Sequence, residues 1–266
     1  MLKKLWRYLR LYFLITSQYI KARLSYRADF FISSLGIILA NLPALLGLAI
    51  VLGNIPVLAG FSFYELVFIY GFALVAVSPL QIIFDHIWSL RYELQSGAFI
   101  KYYFKPLNIM FYYMSEMVDL KGLAQLLLGG SLLFWAGANL SLQWDILKIG
   151  ALLFLLASAS LIMIGLMLAA ASTAFWIVNS FAVMALINRF REYARYPLTI
   201  FDGVFRFIFS FIIPIGFISF YPVQWLIHSN EAGWLVFLTP FVGVGFFLLG
   251  CGVWSLGVRR WNATGT

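Results

Sequence analysis

Charge is what this chain has least of: Asp, Glu, Lys and Arg make up 11% of its 266 residues, against 63% hydrophobic residues. A soluble domain carries roughly 25% charged residues, so this composition excludes one. No stretch is long or polar enough for a second, soluble domain, and residues 1–266 are expected to form a single membrane domain. Cysteine is nearly absent. The one residue, Cys251, lies inside an apolar run, which excludes an internal disulfide and a thiolate metal cluster. Histidine is scarce too: His86 and His228 are predicted on opposite sides of a membrane, so they share no metal and form no relay. No Ser nucleophile of the G-x-S-x-G type is present. None of the lysines is followed by Ser or Thr, so a phosphate-binding loop is missing; any ATP that drives this protein is hydrolysed on another chain.

What the chain does have is long apolar runs, each long enough for the roughly 20 residues of helix that cross a bilayer. Spans are expected at 29–52, 63–84, 120–138, 147–171, 207–227 and 234–257. All must be helical, because they are too long for barrel strands and lack alternation of polar and apolar residues. Pro43, Pro79 and Pro214 fall inside spans, where each can kink a helix. Gly36, Ala40 and Ala44, then Gly165, Ala169 and Thr173, and then Gly243, Gly245, Gly250 and Gly252 mark candidate close-packing faces.

The basic residues gather in alternate gaps between these runs. Lys3, Lys4, Arg7, Arg10, Lys21, Arg23 and Arg27 precede the first span; Arg91, Lys101 and Lys105 follow the second; Arg189, Arg191, Arg195 and Arg206 precede the fifth; Arg259 and Arg260 end the sixth. The opposite loops hold only Lys148. The excess of Lys and Arg on one side places both termini and the two long loops in the cytoplasm. The net charge of +8 therefore reads as a topology signal and an attraction to anionic membrane lipid, not as a nucleic-acid surface. Residues 172–206 are expected to be cytoplasmic or re-entrant. Residues 1–27 are expected to form an amphipathic interfacial helix and not a cleavable signal, because basic residues interrupt the apolar ones at helical spacing.

The loop 85–108 is the most suggestive polar element. Asp85 can start a helix and Ser96-Gly97 can end it. Between them Ile87, Leu90 and Leu94 share an apolar edge, while Arg91, Glu93 and Gln95 point elsewhere. Such a helix either docks into a partner's groove or rests on lipid. Glu116 and Asp119 share one helical face, with Lys121 and Lys105 as counter-ions; this is either a polar gate or the charged approach to a span. Asn41 and Asn179 are polar residues in apolar surroundings that either line a pathway or bond between helices.

Several stretches resemble one family in sequence order: Ser96-Gly97-Ala98-Phe99 through Lys105-Pro106-Leu107-Asn108, Phe175-Trp176, Arg195-Tyr196-Pro197-Leu198-Thr199-Ile200, Phe211-Ile212-Ile213-Pro214, and Phe220-Tyr221-Pro222. They are similar to the small six-span permeases of the ABC-2 type transporters. The resemblance implies an all-α integral membrane fold of exporter type and a permease without catalytic residues, cofactor or metal of its own. ATP and Mg would be held by a separate ATPase, present in two copies, and a second permease, identical or different, would complete the pathway in a bacterial plasma membrane. Residues 85–97 would couple to the ATPase. Two positions depart from the family pattern: Lys105 stands where Arg is usual, and Lys101 where an acid is usual, which puts the ATPase contact of that acid in doubt. A secondary transporter or channel driven by an ion gradient is the alternative.

Overall fold

The computed structural model describes residues 2–24, 27–140, 142–228 and 233–261. Among them the regular structure is helical, apart from one isolated bridge between Leu58 and Phe61. The helices are α1 (Leu2–Leu24), α2 (Arg27–Asn54), α3 (Phe63–Ile83), α4 (Leu90–Gln95), α5 (Ile109–Ser115), α6 (Lys121–Asn139), α7 (Ile146–Ser172), α8 (Ser180–Tyr193), α9 (Gly203–Phe207), α10 (Phe220–Ile227) and α11 (Thr239–Arg260). Polar side chains set several starts. The Glu65 carboxylate accepts the Ser62 backbone N–H at 2.7 Å and anchors α3, Asn108 caps α5, Asp145 caps α7, and Asp202 caps α9.

Among the described residues, four helical segments are long and apolar enough to cross a membrane: Phe30–Asn54, Phe63–Ile83, Ile146–Phe175 and Trp234–Arg260. They coincide with the first, second, fourth and sixth expected spans. The third, α6, has the length of a crossing, but Lys121, Gln125 and its glycines leave it less apolar than those four. At the centre, α3 packs on α6 and α7, and α7 carries α11 along its length. Two seams need glycine because backbones touch. Gly71 and Gly129 let α3 and α6 meet, where a Cβ on Gly71 would lie 2.9 Å from the Gly129 carbonyl. Gly165, Gly243 and Gly250 do the same for α7 and α11; a Cβ on Gly250 would lie 2.6 Å from the Gly165 carbonyl. Gly36, Gly245 and Gly252 have open space where a side chain would go, so those small residues make no close seam among the described residues.

The segment expected as the fifth span, 207–227, is not one helix. α9 widens into a π turn over Ile208–Ile212, closed by the Ile213 N–H on the Ile208 carbonyl (2.9 Å). Ile213 then becomes extended, Pro214 follows, a 3₁₀ turn covers Ile215–Ile218, and α10 begins after a bend at Ser219. Pro214 explains the break, since it lacks an N–H and pushes the residue before it out of helical geometry.

The chain before this break is placed differently from the expectation as well. Call the end of the bundle bearing 85–108 the loop end and that bearing 53–62 the turn end. The Gln95 side-chain amide donates to the Val178 carbonyl at the loop end (3.2 Å). The Thr199 hydroxyl donates to the Ala59 carbonyl at the turn end (3.0 Å). Residues 178–199 thus run the height of the bundle, and Arg195 lies beside α3 instead of staying at the loop end. Burial holds the segment there. Leu198 is buried against Gly216, and the Ser219 hydroxyl bonds the Ala194 carbonyl.

Candidate functional site

At the loop end the 85–108 segment folds into a 3₁₀ turn (Asp85–Ser89), α4, and a second 3₁₀ turn (Ala98–Tyr102). Gly97 joins the last two with φ +74°, a left-handed conformation that a side chain would strain. Ile87 and Leu90 are fully buried, and Leu94 packs against the same core. Their apolar edge is therefore occupied by the protein itself. Arg91 and Gln95 reach sideways to the start of α8: an Arg91 guanidinium nitrogen lies 3.5 Å from Asn179 Oδ1, and Gln95 holds the Val178 carbonyl. Ser96 donates to the Glu93 carbonyl at 3.4 Å. The apolar residue of α4 that stands clear of the protein is Tyr92, 75% exposed, with Phe104 nearby in sequence and 78% exposed.

Glu93 points inward, into a lattice that ties the loop to α5. His86 Nε2 meets Glu93 Oε1 at 3.0 Å, and His86 Nδ1 meets the Tyr113 carbonyl at 2.8 Å. The Tyr113 hydroxyl donates back to the His86 carbonyl (2.9 Å), and the two rings stack at 4.2 Å. The Lys101 ammonium sits 3.0 Å from Glu116 Oε2 and 3.9 Å from Glu93 Oε2, and the Tyr102 hydroxyl donates to Glu116 at 2.5 Å. Burial by itself would raise the Glu93 carboxyl, but the His86 hydrogen bond and charge, with the Lys101 ammonium, hold it below the usual carboxylate range. Burial, then the neighbouring carboxylates, push the Tyr102 and Tyr113 phenols far up, so both stay protonated and donate.

His86, Glu93 and Glu116 offer three ligand atoms within 4.8 Å of one another, the makings of a divalent-cation site. The chain fills it with its own cation. Lys101 bridges the two carboxylates, and both imidazole nitrogens of His86 are engaged. Lys101, which stands where an acid is usual, is thus neutralised internally. Glu116 takes Lys101 as counter-ion, not Lys121 or Lys105. Asp119 instead accepts the Lys121 backbone N–H (3.0 Å), with the Lys121 ammonium at 4.0 Å.

A second polar network crosses the helices. The Tyr70 hydroxyl of α3 donates to Asn41 Oδ1 of α2 (2.7 Å), and Asn41 Nδ2 donates to the Ile37 carbonyl (2.7 Å). Arg195 donates to the Tyr70 hydroxyl (3.3 Å) and covers the ring with its guanidinium 5.3 Å from the centroid. Gln125 of α6 donates to the Leu74 carbonyl of α3 (3.1 Å). Asn41 therefore bonds between helices, whereas Asn179 sits at the start of α8, facing Arg91. Lys105 is exposed, 5.6 Å from the centre of the Tyr112 ring. Pro106 is exposed and Leu107 half-buried; Pro197, Pro214 and Pro222 are buried at the turns around α9 and α10. Sequence reasoning missed Tyr70, Tyr92, Gln125 and the pairing of Lys101. Only Gln125, a polar residue in the first turns of an apolar run, left a signal of its own.

His228 lies at the turn end, with Nε2 2.7 Å from Glu65 Oε1, so the two histidines sit at opposite ends of α3 with a separate glutamate each.

A family model described as ABC-2 family transporter protein matches residues 38–265. No curated protein and no solved structure matches.

Proposed function

The chain belongs to the ABC-2 transporter family, and from that premise we propose that it is the permease subunit of an ATP-driven exporter. A separate ATPase, in two copies, burns the ATP with its Mg, and a second permease chain completes the pathway. The match over 38–265 carries this reading. It is supported by four apolar helices of spanning length and by a sequence without a phosphate-binding loop.

The bundle crosses a bacterial plasma membrane six times in this reading, through α2, α3, α6, α7, residues 178–200 and α11, with the loop end and both termini in the cytoplasm. The fifth crossing is moved from 207–227 to the segment containing α8, and the broken pieces α9 and α10 lie at the outer end. The N-terminal helix lies in the interface: Trp6, Leu9 and Phe13 are exposed along it, while Tyr8 packs edge-on against Phe111 at 4.8 Å. In this reading α4 docks on the ATPase through its exposed Tyr92, while Glu93 ties its inner side to the His86 lattice and Arg91 reaches sideways to Asn179. Affinity purification in mild detergent tests the reading. An ABC ATPase is expected to come along, and Tyr92→Ala with Phe104→Ala is expected to release it. A chain that purifies alone and transports without ATP sinks the proposal.

The secondary-transporter reading keeps one supporting observation, arginines at membrane depth on α8. Uptake or efflux in proteoliposomes that follows an ion gradient with no nucleotide present would favour it.

A further inference from the structure

We propose that Arg191 and Arg195 form a binding station for the anionic headgroup of an amphiphile, an inference that rests on the transport reading. The two residues are four apart on α8 and its C-terminal continuation, so they share one face. That face meets α3 at Tyr70, Ala73, Leu74 and Val77, and α6 at Gln125. At 1.5 Å rise per residue, Tyr70 lies roughly 10 Å from the turn end of α3, and Val77 roughly 10 Å from its loop end. Both guanidiniums therefore sit at hydrocarbon depth, where a cation is costly unless it has a partner.

Among the described residues neither Arg191 nor Arg195 makes an ion pair with a carboxylate. Glu192, next to Arg191, pairs instead with the exposed Arg189 at 3.6 Å. Arg195 is partly compensated by the Tyr70 hydroxyl and ring; Arg191 makes no hydrogen bond among the described residues. Like charges at this spacing repel. An anion between them would relieve that repulsion and accept charge-assisted hydrogen bonds from two planar donors suited to phosphate, sulfate or carboxylate. The void they line with Ala73, Leu74, Val77 and Gln125 holds about 10 Å³, room for one water, so α8 must part from α3 and α6 for a headgroup to enter. An apolar body can stay outside: Phe181 and Leu186 leave the flank of α8 greasy and more than half exposed. This favours an amphiphile over a free ion.

Binding of tritiated dodecyl phosphate to the full chain in phosphatidylcholine nanodiscs tests the station. Saturable binding is expected. Arg191→Gln and Arg195→Gln should each weaken it at least about tenfold, the loss of one charge-assisted contact, while Arg189→Gln, whose side chain does not line the void, leaves it unchanged. Arg191→Lys, which keeps the charge, should bind better than Arg191→Gln. Unchanged binding in both Gln variants, equal losses in Arg189→Gln, or full competition by dodecanol overturns the assignment. Competition by phosphatidylglycerol in the discs identifies a lipid headgroup as the occupant; competition by inorganic phosphate identifies the free anion and removes the amphiphile. Resistance to both supports a transported amphiphile. Retention of the ATPase by the Gln variants separates the two ideas: lost discrimination with the ATPase still bound sinks the station alone, and a missing ATPase in the wild type sinks the transport reading alone.

Discussion

Each end of α3 carries a histidine paired with a glutamate, and the two pairs are built differently. At the loop end His86 and Glu93 are buried, and each is tied to further partners: the Tyr113 backbone and Lys101. At the turn end His228 is 34% exposed, and its partner Glu65 already has a second task, capping α3. Removing one member of the His86–Glu93 pair leaves a buried group unpaired on both sides, whereas at the turn end water can replace the partly exposed His228, and Glu65, though as buried as Glu93, keeps the Ser62 N–H. The loop end is thus a fused block able to carry motion as a unit, and the turn end is a single clasp that can part at little cost.

The largest effect should follow from Glu93→Ala, which strands the buried His86 Nε2 and leaves Lys101 with Glu116 alone. A loss of about 3–5 kcal/mol is expected from breaking a buried pair, measured as the fall in unfolding temperature of the chain in mild detergent. Tyr102→Phe removes only the hydroxyl on Glu116 and should cost about 1 kcal/mol. Equal effects of the two variants would show that the lattice does not act as a block.

Acid should loosen the loop end by the same logic. The Glu93 carboxyl is held below its usual range in the fold. Its contribution is therefore fully present above the unfolded carboxylate value of about 4.3 and is lost as pH falls through the lower folded value. Hydrogen exchange of residues 86–116 should stay protected at pH 5 and rise only in stronger acid. Glu93→Gln should flatten that dependence, and an unchanged profile in the variant would assign the titration elsewhere.

The helix seams give an intermediate effect that separates packing from charge. Gly250→Ala puts a methyl against the Gly165 backbone and should cost about 1–3 kcal/mol by overpacking. Gly252→Ala, which meets nothing within 4 Å, should gain or lose only tenths. Similar costs at both positions, read from unfolding temperatures, would place a partner against the free face of α11.

Apolar runs made α2, α3, α7 and α11 legible, because length and hydropathy alone define such helices. The small-residue rule found the Gly165 and Gly250 seam but also pointed at Gly36, Gly245 and Gly252, since spacing does not say which face meets a neighbour. Residues 172–228 were the hardest to read. Four arginines signalled a cytoplasmic stretch, yet Arg195 is held beside α3 by Tyr70, a tertiary contact no local pattern encodes. Pro214 was visible as a kink, but the π turn before it and the bend at Ser219 were not. In the loop, Ile87, Leu90 and Leu94 were recognisable as an apolar edge; that the edge faces the protein's own core and leaves Tyr92 outside depends on how α4 is seated.

Between the two histidine pairs, the smaller effect should come from His228. His228→Asn removes one half-exposed ion pair while Glu65 keeps its bond to the Ser62 N–H, so a loss of at most about 1 kcal/mol is expected. Glu65→Ala removes the pair and the cap together and should cost about 1 kcal/mol more. The gap between these two variants isolates the cap, and the gap between His228→Asn and Glu93→Ala measures how unequal the two ends are. If His228→Asn destabilises as much as Glu93→Ala, the turn end is no clasp, and opening there would demand as much energy as breaking the fused block at the other end.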